Sequence, residues 1–225
     1  MHDLLKQKAA QAAIEHVANT SILGIGTGST VNYLIQELAK IKHKLDACVA
    51  SSIGTAQSLQ KLGIPVVDLN EINEIPLYID SADEVNVHGV MLKGGGGALT
   101  REKIVATAAK QFICIVTTPK LVKNLGRFPI VLEVLPMARS FVARELVKLN
   151  ANPVYRNGFT TDNGNIILDV YNLQLLMPIK TEETLKLIPG VVENGVFAKR
   201  TADCIIIAGP NEVQTIAVAA SSLMR

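Results

Sequence analysis

Three short stretches of this chain combine side chains that move protons or hold anions. Asp80-Ser81-Ala82-Asp83-Glu84 puts three carboxylates into five residues. Such an oxygen-rich loop suits Mg²⁺ or Ca²⁺, although the six-ligand spacing of an EF-hand is missing. It also suits general acid–base work, with the nearby Lys93 moderating the repulsion between like charges. A third reading is an Asx turn with solvated charges, and the loop taken alone favours it.

Lys93-Gly94-Gly95-Gly96-Gly97 is the rarest pattern. Consecutive glycines lose much backbone entropy on folding, so a folded chain keeps them for unusual dihedrals or close backbone approach. A flexible surface hairpin is the alternative. Lys93 entering the run and Thr100-Arg101-Glu102 leaving it favour a site. Glu102 falls in the first turn of the following helix, where the dipole stabilises a carboxylate by about 0.3–1 kcal/mol and keeps it ionised near neutral pH. The same effect accounts for Glu102 without any catalysis, and for this residue alone that plainer role is preferred.

Gly26-Thr27-Gly28-Ser29-Thr30 opens a helix, so free backbone N–H groups and the helix dipole favour an anion there. It is not a P-loop, because no Lys-Ser/Thr pair ends it, and Ser29 stands where the dinucleotide fingerprint has its last glycine. The plain alternative is a tight strand-to-helix turn with Ser29 or Thr30 as N-cap. His2, His16, His43 and His88 are scattered, and no Gly-x-Ser-x-Gly elbow supports a hydrolase triad.

The elements that must position these loops follow from hydrophobic periodicity. Residues 3–18 read as a helix, 21–26 as a buried strand, and Val31, Leu34, Ile35 and Leu38 as one face of a helix. Strands are expected at 46–50, 64–68, 76–80 and 112–116, with helices running to Gly63 and from about Thr100 to Lys110. This rhythm predicts an α/β fold: an open, mainly parallel, Rossmann-like sheet with helices on both faces. In such a sheet ligands bind beyond the carboxyl ends of the strands, where Gly26–Thr30, Ser51-Ser52 and Asp80–Glu84 all fall.

From Phe128 the order becomes β-α-β-β-α-β: strands at 129–135, 152–156, 166–171 and near 191–197, helices at 138–149 and about 181–187. That order suits a small inserted α+β module of ferredoxin-like type. Strand 203–208 then rejoins the first sheet. The expected division is a catalytic α/β domain of residues 1–127 and 201–225, with an inserted domain at 128–200.

Composition narrows the class. The 225 residues carry a formal net charge of +2, with no basic run, so nothing argues for nucleic acid. Cys48, Cys114 and Cys204 make no CxxC pair or metal-ligand spacing and read as buried, reduced thiols. No apolar run is long enough to cross a bilayer, and the residues after Met1 lack a signal peptide's apolar core, so a cytoplasmic location is expected.

Taken together, Gly26–Thr30, Asp80-x-Ala82-Asp83-Glu84, Lys93 through Lys103, Thr118-Pro119-Lys120 and Pro189–Gly195 resemble ribose-5-phosphate isomerase type A. The resemblance covers almost the whole chain. It departs at Ser81, where the family usually has glycine, which strains the loop if that position needs a positive φ. It implies an aldose–ketose isomerase that interconverts ribose 5-phosphate and ribulose 5-phosphate through an enediol. Glu102 would be the base; Asp80, Asp83 and Lys93 would assist ring opening and steady the oxyanion. The substrate contacts it implies are Thr27, Gly28, Ser29, Thr30, Asp80, Ser81, Ala82, Asp83, Lys93, Gly94, Gly95, Gly96 and Lys120. It demands no redox cofactor or metal, and implies a homo-oligomer, a dimer or a tetramer. Competing readings are an amino-sugar-phosphate deaminase, a sugar-phosphate sensor and a CoA-transferase-like protein. A sensor has no use for Glu102 and Lys93 together, and the fold alone does not choose among them.

Overall fold

The computed structural model describes residues 2–17 and 20–219. Along the chain the elements are α1 (His2–Ile14), β1 (Ile22–Ile25), α2 (Ser29–Lys40), β2 (Ala47–Ala50), α3 (Ile53–Lys61), β3 (Ile75–Asp80), β4 (Glu84–Val85), β5 (Met91–Leu92), α4 (Leu99–Ala108) and β6 (Ala109–Thr117). Then follow β7 (Ile130–Val134), α5 (Arg139–Lys148), β8 (Asn152–Tyr155), β9 (Ile166–Tyr171), α6 (Pro178–Lys186), β10 (Val191–Asn194), β11 (Val196–Phe197), β12 (Cys204–Ala208) and β13 (Val213–Ala217).

The main sheet has the order β13-β12-β6-β3-β1-β2 and is parallel except for β13, which runs antiparallel to β12. Strands buried on both faces need near-continuous apolar runs, and β1, β12 and the Phe112–Val116 part of β6 have them, while the edge strand β13 is largely exposed. Leu77, Ile79, Ile113, Ile115 and Ile206 pack with α1, α2 and Leu59 of α3 on one face. Tyr78, Phe112, Cys114, Val116, Ile205 and Ile207 pack with Val105 and Ala106 of α4 on the other. From β1 the chain moves to β2 at the edge and then returns to β3 on the far side. The loops after β1 and β3 therefore flank a topological switch point, the crevice where ligands of open α/β sheets bind.

Residues 130–194 build a second, antiparallel sheet of order β10-β7-β9-β8, its helices α5 and α6 covering one face through Val142, Leu146 and Leu185. This is the split β-α-β arrangement the sequence order predicts. Its other face, through Val131 and Ile167, packs on Leu99 at the start of α4. A third small sheet, β11-β5-β4, joins the two.

Several expectations are corrected. Residues 64–68 form no strand; only an isolated bridge between Cys48 and Val66 remains, because the segment runs along the outer edge of β2. The first helix ends at Ile14, followed by a 3₁₀ turn over Glu15–Val17, and residue 18 lies outside the described residues. The strand near 191–197 is two strands in two sheets, divided at Gly195. There the backbones meet: a Cβ on Gly195 would lie 2.0 Å from the Lys93 carbonyl oxygen. Strands β4, β5 and β13 are additional. The three cysteines are free and buried as expected, and burial pushes the Cys48 and Cys114 thiols up to about 12.

Candidate active site

Asp80 ends β3 and is fully buried. Its Oδ1 accepts from the backbone N–H groups of Thr27 (3.0 Å) and Ser81 (2.7 Å), and its Oδ2 from the Tyr78 hydroxyl. The approach is close enough to demand glycine at position 26, where a Cβ would sit 1.9 Å from Oδ1. Tyr78 precedes Asp80 by two residues on the same strand face, so the period of the strand aims both at one point. Burial, then Asp80, hold its pKa well above the ordinary phenol value, so Tyr78 remains a donor.

Lys93 follows β5, and its Nζ lies 2.8 Å from Asp80 Oδ2 and 3.3 Å from Glu102 Oε2. It also donates to the Ser81 carbonyl and sits 5.6 Å from the Phe197 ring centroid. Burial alone would lower its pKa, but Asp80 and then Glu102 outweigh that and hold it above the ordinary lysine value. The two carboxylates thus favour Lys93 as a buried cation.

Glu102 lies in the first turn of α4, 5% exposed. Its Oε2 is buried and has no hydrogen-bond partner among the described residues. Burial works against the ionised carboxylate expected from the helix position. Burial pushes the Glu102 pKa up to about 8, Lys93 opposes the rise, and Asp80 and Asp83 add to it. Desolvation outweighs a helix dipole whose effect is strongest for surface groups.

Of the other two acids of the loop, Asp83 faces the glycine run and Glu84 turns away. Asp83 accepts from the Gly95 N–H at 2.8 Å, and Glu84 accepts from the Gly126 and Phe128 N–H groups. Among the described residues no group of three or more His, Cys, Asp or Glu side chains is placed to hold a metal ion. Ser81 carries no positive φ, so the serine in the family's glycine position is unstrained. Its hydroxyl reaches toward the Thr27 carbonyl at 3.4 Å, and Ala82 beside it is buried.

The glycine run is not a loose hairpin. Gly94 has φ +113° with Val131 against it, and a Cβ on Gly97 would lie 2.2 Å from the Phe159 ring. Only Gly95 and Gly96 are exposed. Opposite them, α2 is capped by Gly28, whose φ of +123° favours glycine and which makes no side-chain cap. Neither Ser29 nor Thr30 is the N-cap; Ser29 is exposed and Thr30 is buried within the first turn. Among the described residues the N–H groups of Ser29, Thr30 and Val31 meet no protein acceptor. The start of α3, by contrast, is filled: Ile53 N–H donates to Asp162 Oδ2 at 2.7 Å. Thr27 Oγ1 is tied to Ser51 Oγ at 2.9 Å. Lys120 donates to the Ala82 carbonyl at 2.6 Å. Burial lowers its pKa, Asp83 opposes this, and Lys93 adds to it.

The structure therefore gathers Asp80, Lys93 and Glu102 at one point, with Asp83, Thr27, Gly28, Gly95, Gly96 and Lys120 around it. The sequence reading did not single out Tyr78, Arg156 or Glu133. Tyr78 had a signal, a phenol inside an otherwise apolar strand two residues before an aspartate. Glu133 is fully buried on β7 and accepts hydrogen bonds from Thr100, Thr161, Asn163 and Asn165. Each of those partners is at least 28 residues away, so local sequence carried no signal for it.

The fold is that of an α/β enzyme, with a buried carboxylate–lysine cluster at the switch point of its sheet. The profile of the family described as Ribose 5-phosphate isomerase A (phosphoriboisomerase A) matches residues 47–212. Ribose-5-phosphate isomerase A of Legionella pneumophila (strain Corby) is 60% identical over 212 residues, 94% of this chain and 98% of that protein. The crystal structure of ribose 5 phosphate isomerase A from Neisseria gonorrhoeae superposes with a TM-score of 0.94 at 41% identity, covering 98% of this chain and 99% of that one. A D-ribose-5-phosphate isomerase solved in complex with phospho-erythronic acid superposes with a TM-score of 0.92 at 32% identity, covering 96% and 99%. The chain belongs to the ribose-5-phosphate isomerase A family.

Proposed function

We propose that this chain interconverts D-ribose 5-phosphate and D-ribulose 5-phosphate, with Glu102 carrying the proton between C2 and C1. The observation that supports it most is the buried, unpartnered Glu102 Oε2 beside a fixed cation. A base whose pKa is about 8 is matched to proton abstraction near neutral pH. In the open-chain aldose, Glu102 takes the C2 proton and the C–H electron pair forms the C1=C2 bond of the enediol. The negative charge on oxygen develops near Lys93, which is already in place and needs no reorganisation. As the C1=C2 bond forms, the C1 carbonyl electron pair moves onto O1. Glu102 then returns the proton to C1 while the C2 hydroxyl proton passes to O1 and the C2 carbonyl forms, so no atom is gained or lost.

Asp80 has its oxygens engaged by four protein donors, which suits holding Lys93 and the Gly26 loop rather than shuttling protons. Asp83, with a single hydrogen bond, is freer to assist ring opening. The open start of α2 and the nearby Lys120 suit the phosphate. That a relative was solved with phospho-erythronic acid, a phosphorylated sugar acid, supports a phosphorylated ligand. A coupled assay offering ribose 5-phosphate, ribose and glucosamine 6-phosphate tests the reading. Turnover of the first alone is expected; deamination of the third without pentose-phosphate activity overturns it.

Family membership and buried reduced thiols also support a cytoplasmic homo-oligomer, and light scattering reads the oligomeric state. Among the described residues no helix is long and apolar enough to cross a membrane.

A further inference from the structure

Arg156 lies just beyond β8, its N–H donating to the Ile167 carbonyl at 3.0 Å, so the second sheet fixes its backbone. Its guanidinium is held on several sides. Nε donates to Asp169 Oδ2 at 2.9 Å, Nη2 pairs with Asp169 Oδ1, and the Phe159 ring centroid lies 5.4 Å from the guanidinium carbon. The remaining arm, Nη1, reaches the Gly94 and Gly95 carbonyl oxygens at 3.3 and 3.1 Å. Those carbonyls belong to the peptide groups whose N–H bonds are on Gly95 and Gly96. The first N–H donates to Asp83, and the second meets no acceptor among the described residues. A Cβ at Gly96 would point to Thr27 Cγ2, 3.9 Å away, across from the start of α2.

We propose that Arg156 is a positioning residue for the isomerisation: clamped by Asp169, it locks the Gly94–Gly96 peptide planes and polarises the Gly95 and Gly96 N–H groups toward Asp83 and the substrate. This rests on the proton-transfer reading given above. Gly97 N–H already donates to the Gly94 carbonyl at 2.9 Å, but the exposed Gly95 and Gly96 have no side chain to hold their own peptide planes. A cation at the carbonyl end strengthens the N–H at the other end, because hydrogen bonds in chains polarise one another. A lysine cannot substitute, since only the planar fork serves the carboxylate and the two carbonyls together.

The test uses the full chain with Arg156→Ala and Arg156→Lys, measured well below each thermal midpoint. For Arg156→Ala, kcat for ribose 5-phosphate should fall by about tenfold or more, as expected when reacting groups are misplaced, while KM moves less. Low concentrations of guanidinium should recover part of that loss. Arg156→Lys should retain the fold and most of the kcat defect. In ¹⁵N-glycine-labelled protein without substrate, the Gly95 and Gly96 amide resonances should shift in both variants. Unchanged kcat, a loss confined to KM, or unmoved Gly95 and Gly96 resonances overturns the proposal. The amide shifts do not depend on the assigned chemistry. Moved resonances with an active Glu102→Gln variant would therefore leave the clamp standing and remove the base.

Discussion

Glu102 Oε2 stands 3.3 Å from Lys93 Nζ, with both side chains almost entirely withdrawn from solvent. The pair joins the start of α4 to the end of β5, and neither charge is matched by the other alone. Lys93 is shared with Asp80, and Glu102 keeps one oxygen without a hydrogen bond. A carboxylate so placed is costly to ionise and basic once ionised, which is the property a proton carrier needs.

Replacing Glu102 by glutamine keeps the shape and removes the proton acceptor. The expected result is a kcat lower by about 10²–10⁴-fold with folding and substrate affinity retained. Turnover near the parent rate would rule out Glu102 as the base.

The same burial sets the pH profile. In the free enzyme the ionised form is the active one, so kcat/KM should rise with pH and level off above about 8. Lys93 lowers the Glu102 pKa, so Lys93→Met should move the plateau to higher pH besides slowing the reaction. A profile already flat from pH 6 upward contradicts this assignment.

Stability should carry the same signature with a defined sign. Glu102 is raised from an ordinary 4.5 to about 8, so between those values the native state holds a proton that the unfolded chain has released. Its contribution is therefore fully present below the lower value and is lost as pH rises through the upper one. The parent should lose stability relative to Glu102→Gln from pH 5 to pH 8 in denaturant titrations. Parallel stability curves for the two proteins would refute the shift.

Glu133 makes a prediction of another kind. Glu133→Ala leaves the buried Thr161 and Asn165 donors unmatched in the interior, while the half-buried Thr100 and the exposed Asn163 can turn to water. At about 1–3 kcal/mol for each buried donor that stays unsatisfied, a total loss of about 3 kcal/mol is expected. For a chain of this size that lowers the thermal midpoint by about 6–12 °C. A midpoint within about 2 °C of the parent's, the shift worth less than one such bond, would show that the network contributes little.

The phosphate anchor is tested with ribose itself. If the open N–H groups of Ser29, Thr30 and Val31 hold the phosphate, the unphosphorylated sugar should suffer in kcat as well as KM, because remote binding energy acts at the reacting carbon. Equal kcat/KM for the two sugars excludes the anchor.

Local sequence determined a good deal of this protein. Apolar runs such as Cys204–Ala208 could only be strands buried on both faces, and the helical spacing of Val31, Leu34 and Leu38 allowed one buried side. The glycines at 26, 28, 94 and 97 marked close contacts that the structure shows, because a missing Cβ is visible in sequence whatever it will touch. The six-element order after Phe128 was legible for the same reason: each strand and helix has its own period. The tertiary structure decided what depends on partners distant in the chain. It divided the 191–197 segment between two sheets, since β11 finds β5 only after the chain has folded. It turned Glu84 away toward Gly126 and Phe128, and brought Glu133 and Arg156 from the second sheet onto α4 and the glycine run. It also raised the pKa of Glu102, because desolvation is a property of the surrounding packing, and no residue beside Glu102 in sequence reveals how much water folding removes.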